Sequence, residues 1–361
     1  MTQLKNEQPT VAIVGGGPIG IELAIAFERT GVDYTLFEAH QIGHEFTKWP
    51  PHTHFFSSTE HVALAGIPVH NLDQRPITGE EYLVYLRMLV EMFDLNLHLY
   101  EPVTAVERQD EGFILHTQTR TGPKQYPFDK VVMATGGMAG PRLLGIPGEN
   151  LPHVTHYFKG PHPYFRTRLL IVGGRNSAAE AAIRCWRAGA EVTLSYRGEE
   201  INWERVKPHL SDDLQTRIRN GEIHYLPATI PVEIAPTHVT LASTSDGVTP
   251  NGRLLRQEVD FVLLATGFEA DMTLFKEAGV ELVGQGLAPY HDPETMETNV
   301  RGLFVAGTAA GGTQYKFEFF ISTTHHHVTN IVRAIAHADA GPVGTTERRY
   351  HEATWEEVKA N

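Results

Sequence analysis

The stretch Thr10-Val11-Ala12-Ile13-Val14-Gly15-Gly16-Gly17-Pro18-Ile19-Gly20 joins a short β-branched run to a glycine turn and then to a helix. Val11 to Val14 has the composition of a central parallel strand buried on both faces. In Gly15-x-Gly17-x-x-Gly20 the first glycine permits a tight turn, the second lets the backbone approach a pyrophosphate, and the third allows close helix packing. The helix after it offers amide hydrogens and a favourable dipole to an anion. Pro18 and Ile19 on its first turn join the glycines as candidate cofactor contacts, and Ile21, Ala24, Ile25 and Glu28 fall at helical spacing before Gly31 ends it. A second strand runs from Tyr34 to Phe37 and finishes at Glu38, 23 positions after Gly15, where a carboxylate can accept hydrogen bonds from both ribose hydroxyls. A glycine turn that binds nothing is the bland alternative, and the coincidence of turn, helix and carboxylate argues against it.

The same unit recurs downstream as Leu169-Leu170-Ile171-Val172-Gly173-Gly174-Arg175-Asn176-Ser177-Ala178, and each copy is followed by an Ala-Thr-Gly segment, Ala134-Thr135-Gly136 and Ala265-Thr266-Gly267. Two nucleotide sites in one chain point to electron transfer between two cofactors. In the second copy Arg175 replaces the middle glycine, so the backbone approaches less closely and a guanidinium can contact phosphate instead. No acidic residue stands where Glu38 stands in the first copy. Arg197, 24 positions after Gly173, can pair with a 2′-phosphate through its planar fork, which favours NADPH over NADH; the alternative is a solvated surface arginine. Arg205 and Lys207 are weaker candidates of the same kind.

Between the copies, Thr78-Gly79-Glu80-Glu81 is a capping-box pattern opening a helix with Leu83, Leu86, Val90 and Phe93 on one apolar stripe. Val103 to Glu107 and Phe113 to Gln118 alternate as a β-meander leading into the strand Val131-Val132-Met133. Gly136 to Arg166, rich in Gly, Pro and His, reads as a crossover. A late segment, Thr298 to Gly307, reads as a strand with its glycine turn, followed by a helix from about Thr313 to Ala336 that returns to the first sheet. The expected division is 1–160, 161–284, 285–340 and a polar tail 341–361, whose Thr345 to Lys359 stretch reads as a helix that packs on a partner subunit or is solvated.

At 361 residues, with 41% hydrophobic and 20% charged residues, the chain has room for two globular domains, and a net charge of −13 argues against a nucleic-acid surface. No apolar run approaches the ~20 residues of a membrane span, and Met1 to Glu7 lacks the apolar core of a signal peptide, so the cytoplasm is expected. The single cysteine, Cys185, excludes an intrachain disulfide and fits a reducing compartment. With Ala178, Ala181 and Ala182 it lies on the apolar face of the second helix and reads as a buried, inert thiol rather than a nucleophile. Of the 20 histidines, His325, His326 and His327 are consecutive and point about 100° apart on a helix, and His52 and His54 lack a third ligand, so no metal site is expected.

With both units in this order the chain resembles the small two-domain flavoproteins of the thioredoxin reductase type, and within them the bacillithiol disulfide reductase family, over most of residues 10 to 335. The resemblance rests on Phe55-Phe56-Ser57, His156-Tyr157-Phe158-Lys159 with His162-Pro163-Tyr164-Phe165, the second glycine turn, Tyr196-Arg197-Gly198, Arg219 to Ile223, and Pro293 to Val300. It implies an α/β fold of two three-layer Rossmann-like dinucleotide-binding domains, the NADPH domain inserted into the FAD domain, with hydride passing from nicotinamide to flavin. Phe55, Phe56 and Ser57, together with Lys48 and Trp49, would line the flavin pocket. Thr135, Gly136, Gly307 and Thr308 would contact FAD; Asn176, Ser177, Thr266 and Gly267 would contact NADPH. The helix expected at Thr313 would direct its positive end at the flavin.

The departures carry equal weight. The Cys-x-x-Cys pair of thioredoxin reductases is absent, the cysteine that bacillithiol enzymes carry in the first turn is Ile19 here, and Thr308 replaces an aspartate. These departures place thiol-disulfide reduction by the family mechanism in question. No catalytic acid or base is assigned, because hydride transfer needs position more than proton transfer. The acceptor is expected to be a small molecule or small electron carrier: a quinone, a flavin, an iron-sulfur or flavodoxin-like carrier, or a disulfide reduced without an enzyme thiol. A flavin monooxygenase and a nucleotide-binding sensor with little turnover are the alternatives. The resemblance also implies a homo-oligomer.

Overall fold

The structure, a computed structural model, describes residues 9–316 and 318–345. Contacts divide the chain into two units: one takes the chain up to Thr47, His54–Gly140 and everything from Glu269, and the other takes Lys48–Thr53 and Pro141–Phe268. The part of the tail beyond Thr345 lies outside the described residues.

The first unit opens with β1 (Val11–Val14), α1 (Pro18–Thr30) and β2 (Tyr34–Glu38). It continues through α2 (Gly79–Phe93), β3 (Leu97–Leu99), the strands β4 (Val103–Arg108), β5 (Phe113–Thr119) and β6 (Gly122–Phe128), and β7 (Lys130–Met133). β1 is buried throughout because it is the central strand, paired in parallel with β2 on one side and β7 on the other. Gly31 closes α1 in the left-handed conformation at φ 70°, as a glycine after the last turn should. The three strands β4 to β6 pair antiparallel as a separate meander.

The second unit repeats this plan. β8 (Val154–Thr155), β9 (Arg168–Val172), α3 (Asn176–Arg187), β10 (Glu191–Ser195), α4 (Pro208–Arg219) and β11 (His224–Leu226) are followed by the meander β12 (Thr229–Ile234), β13 (His238–Ser243) and β14 (Leu254–Glu258), then by β15 (Phe261–Leu264). The sheet order is β11-β10-β9-β15-β8, all parallel. The chain then returns to the first sheet as β16 (Leu303–Val305), which pairs in parallel with β7, giving β16-β7-β1-β2-β3, and ends its described helices with α5 (Ile321–Ala336). The two copies thus share one strand order, except that the fifth strand comes last in the first unit and first in the second. Both are Rossmann-like α/β sheets.

Three expectations need revision. The stretch 141–160 is part of the second unit, because β8 is its edge strand and Leu144, Ile146, Leu151 and Val154 pack on its core; the interruption therefore runs from Pro141 to Phe268 rather than from 161 to 284. α2 buries Tyr82, Tyr85, Leu86 and Leu89, whereas Leu83, Val90 and Phe93 are only partly covered. The tyrosines win the inner face because their hydroxyls are satisfied there, Tyr82 donating to the Val62 carbonyl at 2.8 Å and Tyr85 to that of Ile67 at 2.7 Å, so the large rings are buried without stranding a polar tip. The last helix begins at Ile321, not Thr313. The Gln314 side chain accepts from the Glu318 and Phe319 amides, each at 2.9 Å, and donates to the Phe319 carbonyl, so it occupies backbone groups just ahead of α5. The helix terminus expected at Thr313 is therefore eight residues further on. No described helix is long and apolar enough to cross a membrane.

Candidate cofactor sites

In the β1–α1 turn Gly15, Gly17 and Gly20 differ in what a side chain would meet. Gly15 sits at φ +115°, and a Cβ there would lie 2.4 Å from the Ala134 carbonyl oxygen. A Cβ on Gly20 would lie 2.0 Å from the Gly15 carbonyl oxygen, so α1 can only approach its own turn with hydrogen at that position. A Cβ on Gly17 would meet nothing within 4 Å, and Gly17 caps α1 with no side-chain hydrogen bond, so the first amides of α1 face open approach. Glu38 is almost fully buried, with Oε2 accepting from the Gly16 amide at 2.7 Å and Oε1 from the His40 amide at 2.8 Å. These bonds fix the carboxylate at the end of β2, and each oxygen retains a second lone pair for a ribose hydroxyl.

The ends of β1, β7 and β16 converge here. Gly136, at φ +81°, would place a Cβ 3.9 Å from Thr308 Oγ1, and one on Gly137 would sit 3.1 Å from the Thr308 carbonyl oxygen. A Cβ on Gly307 would lie 3.2 Å from that of Ile19, which is itself only 6% exposed. Thr135 Oγ1 is buried with no hydrogen-bond partner. An orphaned hydroxyl beside an open, uncapped helix terminus fits a polar cofactor such as FAD. One residue here had no sequence signal: His327 of α5 is 1% exposed and accepts the Gly307 N–H at Nδ1, 3.1 Å away. Burial, aided by the nearby His326 and His291, pushes its pKa down to about 3.

Phe56 is exposed and Ser57 half-buried in the first unit. Lys48 and Trp49 fall by contacts in the second unit, within Lys48–Thr53. That segment is held by Arg184 of α3, which donates to the Pro51 carbonyl at 3.0 Å and to Thr53 Oγ1 at 3.2 Å.

The β9–α3 turn reproduces the first. The Gly173 amide donates to the Ser195 carbonyl, as the Gly15 amide does to that of Phe37, and a Cβ on Gly173 would lie 2.5 Å from the Ala265 carbonyl oxygen. Ser195 therefore corresponds to Phe37, and the position of Glu38 is taken by Tyr196, whose ring would lie 2.4 Å from a Cβ on Gly174. Sequence spacing singled out Arg197 and passed over this tyrosine. Arg175 caps α3. Partial desolvation first, then the charges of Arg205, Arg197 and Arg142, lower the pKa of this largely exposed side chain, so four guanidinium groups share one electrostatic neighbourhood. Such a field favours a polyanion.

The stem of Arg197 runs 3.3 Å from where a Gly247 Cβ would be, beside a cleft of about 310 Å³ that also carries Glu199 and Asp246. The Val248 and Thr249 amides donate to Asp246 Oδ1 and hold its pKa well below the usual range. Those two carboxylates disfavour phosphate in the cleft itself, so the Arg175 side of Arg197 is the better seat. Asn176 Oδ1 accepts the Lys207 amide at 2.9 Å, and Ser177 is exposed on the first turn of α3. Thr266 Oγ1 donates to the Arg142 carbonyl, and the Arg142 amide donates to that of Gly267. Cys185 is fully buried on the alanine face of α3, and burial pushes its pKa up to about 12. No cluster of three metal-ligating side chains occurs among the described residues.

The sequence profile of the pyridine nucleotide-disulphide oxidoreductases matches residues 12–307. The chain belongs to this family. It is 32% identical to the bacilliredoxin reductase Bdr of Bacillus subtilis over 91% of this chain and 98% of that one. A solved bacillithiol disulfide reductase from Bacillus cereus superposes with a TM-score of 0.85 at 32% identity, covering 91% of this chain and 99% of the other. A ferredoxin–NADP reductase of Ignicoccus hospitalis is 25% identical over 82% of this chain and 88% of its own. This member of the family is an FAD-dependent NAD(P)H oxidoreductase, with FAD and a nicotinamide nucleotide as cofactors.

Proposed function

We propose that this oxidoreductase moves electrons from NADPH to a small acceptor without using a thiol of its own. The observation that carries the reading is the chemistry at position 19: the first turn of α1 presents the buried Ile19, packed toward Gly307, while the chain's one cysteine is sealed in α3. A thiolate needs exposure and a positive neighbourhood, and Cys185 has no exposure. FAD, when bound, supplies a two-electron centre that NADPH reduces by hydride transfer. The β1–α1 turn would hold its pyrophosphate, Glu38 its ribose, and Thr135 and Thr308 further polar groups. In the second unit Arg175 and Arg197 would hold the nucleotide phosphates. The curated relatives are named as reductases of bacilliredoxin and of ferredoxin, which supports a disulfide or a small electron carrier as acceptor. A net charge of −13 disfavours a strongly acidic carrier protein. Assembly as a homo-oligomer in the cytoplasm belongs to the same reading.

The test is an anaerobic titration of the purified protein followed by its visible spectrum. NADPH should bleach a flavin band at much lower concentration than NADH; an absent flavin, or one that neither nucleotide reduces, sinks the proposal. Arg197→Ala should raise KM for NADPH by about 10- to 100-fold, the equivalent of one charge-assisted phosphate contact of about 1.5–3 kcal/mol, and leave KM for NADH nearly unchanged. An equal effect on both nucleotides would assign Arg197 elsewhere. Cys185→Ala should keep turnover with any acceptor within about twofold, because a buried thiol acts only as a small apolar group. Loss of turnover in a folded Cys185→Ala protein would restore a thiol mechanism.

A further inference from the structure

We infer that His327 is a positioning residue for the FAD site: its Nδ1 accepts the Gly307 N–H and so fixes the backbone turn that brings Gly307 and Thr308 against Ile19, Gly136 and Gly137. The inference rests on the FAD-dependent reading above. Gly307 lies two residues past β16, at the start of a short 3-10 turn, with φ +67°, a conformation that favours glycine. That amide is buried and its partner is the imidazole 20 residues later in α5. Without the ring, a buried donor would be left unsatisfied at the centre of the three converging strand ends, and the cheapest relief is a shift of the turn itself.

The geometry also selects the chemical state of the ring. A donor aimed at Nδ1 requires a lone pair there, so the proton sits on Nε2 and the imidazole is neutral. The titratable groups facing it are His326, whose ring centroid is 4.4 Å away on the same helix, and His291; a charge on either opposes a second proton on His327. Phe319 covers the ring at 5.9 Å and helps to keep water from it. The local burial that lowers its proton affinity therefore protects the bond across ordinary pH.

The decisive comparison is His327→Leu against His327→Asn. Asparagine Oδ1 occupies nearly the place of the imidazole Nδ1 and can accept the same amide; leucine has similar bulk and no acceptor. FAD dissociation constants, measured by quenching of flavin fluorescence on titrating the apoprotein, should rise about tenfold in His327→Leu, the cost of one lost buried hydrogen bond, and return to within about threefold of the parent in His327→Asn. The flavin absorption maximum should shift in the leucine variant and recover in the asparagine one. Equal losses in both variants would show that ring volume alone matters, and parental affinity in His327→Leu would show that the turn does not need the bond; either result overturns the inference. If the parent binds no FAD, the cofactor reading has failed and this inference falls with it, an outcome told apart from the others because it appears in the parent and not in a variant. The parent protein supplies a check that does not depend on a variant folding. Histidine-labelled 15N spectra should show one ring locked as the Nε2–H neutral form from pH 8 to pH 5, and finding that every histidine titrates in that range would overturn the assignment.

Discussion

Gly20→Ala should strip the protein of FAD. The new Cβ would lie 2.0 Å from the Gly15 carbonyl oxygen, well inside contact, and the obstacle is backbone rather than a yielding side chain. α1 must therefore move off its own turn, and the amides that would bind the pyrophosphate move with it. Overpacking of this kind costs about 1–3 kcal/mol, so at the upper end FAD affinity falls by about a hundredfold. The matched control is Gly17→Ala, where a Cβ meets nothing within 4 Å in the free protein. Gly17→Ala should leave the apoprotein's thermal midpoint unchanged yet weaken FAD binding, because the methyl intrudes only on the ligand. Gly20→Ala should lower both. The flavin-to-protein absorbance ratio after purification and the apoprotein melting curve separate the two cases, and a Gly20→Ala protein with a full complement of FAD would show that the turn tolerates the clash.

Glu22→Leu should be among the most destabilising single changes in the first unit. Glu22 is fully buried in α1, with Oε1 accepting from the Ala65 amide at 2.7 Å and the Gly344 amide at 2.6 Å, and Oε2 lying 2.6 Å from His325 Nδ1. Arg29, one helical face along, donates to the Pro342 and Ala65 carbonyls, so helix, loop and C-terminal segment meet at one carboxylate. Leucine would strand three polar groups at once, a loss of about 3–5 kcal/mol by analogy with breaking a buried ionic or hydrogen-bonded pair. Glu22→Gln should cost less, because one amide oxygen still accepts while its NH2 faces groups that also donate. Urea unfolding followed by tryptophan fluorescence, together with the rate of proteolysis near residues 340–345, checks both. A change below about 1 kcal/mol in Glu22→Leu would mean that the segment is held by other contacts.

The legible parts of this protein were those whose physics is local. The strand Val11–Val14, the turn Gly15–Gly20 and the left-handed stop at Gly31 each follow from backbone sterics within a few residues, and the capping box at Thr78 was read with its reciprocal bonds intact, Glu81 amide to Thr78 Oγ1 at 3.2 Å and Thr78 amide to Glu81 Oε2 at 2.7 Å. The inert thiol was legible for the same reason, since helical spacing alone puts Cys185 with Ala178, Ala181 and Ala182. Periodicity misjudged α2 because tyrosine counts as neither apolar nor polar until its hydroxyl finds a partner, and here the partners lie about twenty residues earlier. Position counting points to Arg197 rather than to Tyr196, because it ranks residues by charge and not by the ring that covers Gly174.

By itself the sequence determined the duplicated α/β plan, the steric need for glycine at positions 15 and 20 of the first turn, and the absence of any thiol at position 19, because each is written in neighbouring residues. Only the tertiary structure decided that 141–160 completes the second sheet, that Thr308 comes to rest beside Gly136 and Gly137, and that His327 accepts the Gly307 amide. The same holds for the Glu22–His325 pair, whose partners are 303 residues apart in the chain. Such pairings depend on which strand ends and helix faces each sheet brings together within its own unit, and no periodicity along the chain encodes them.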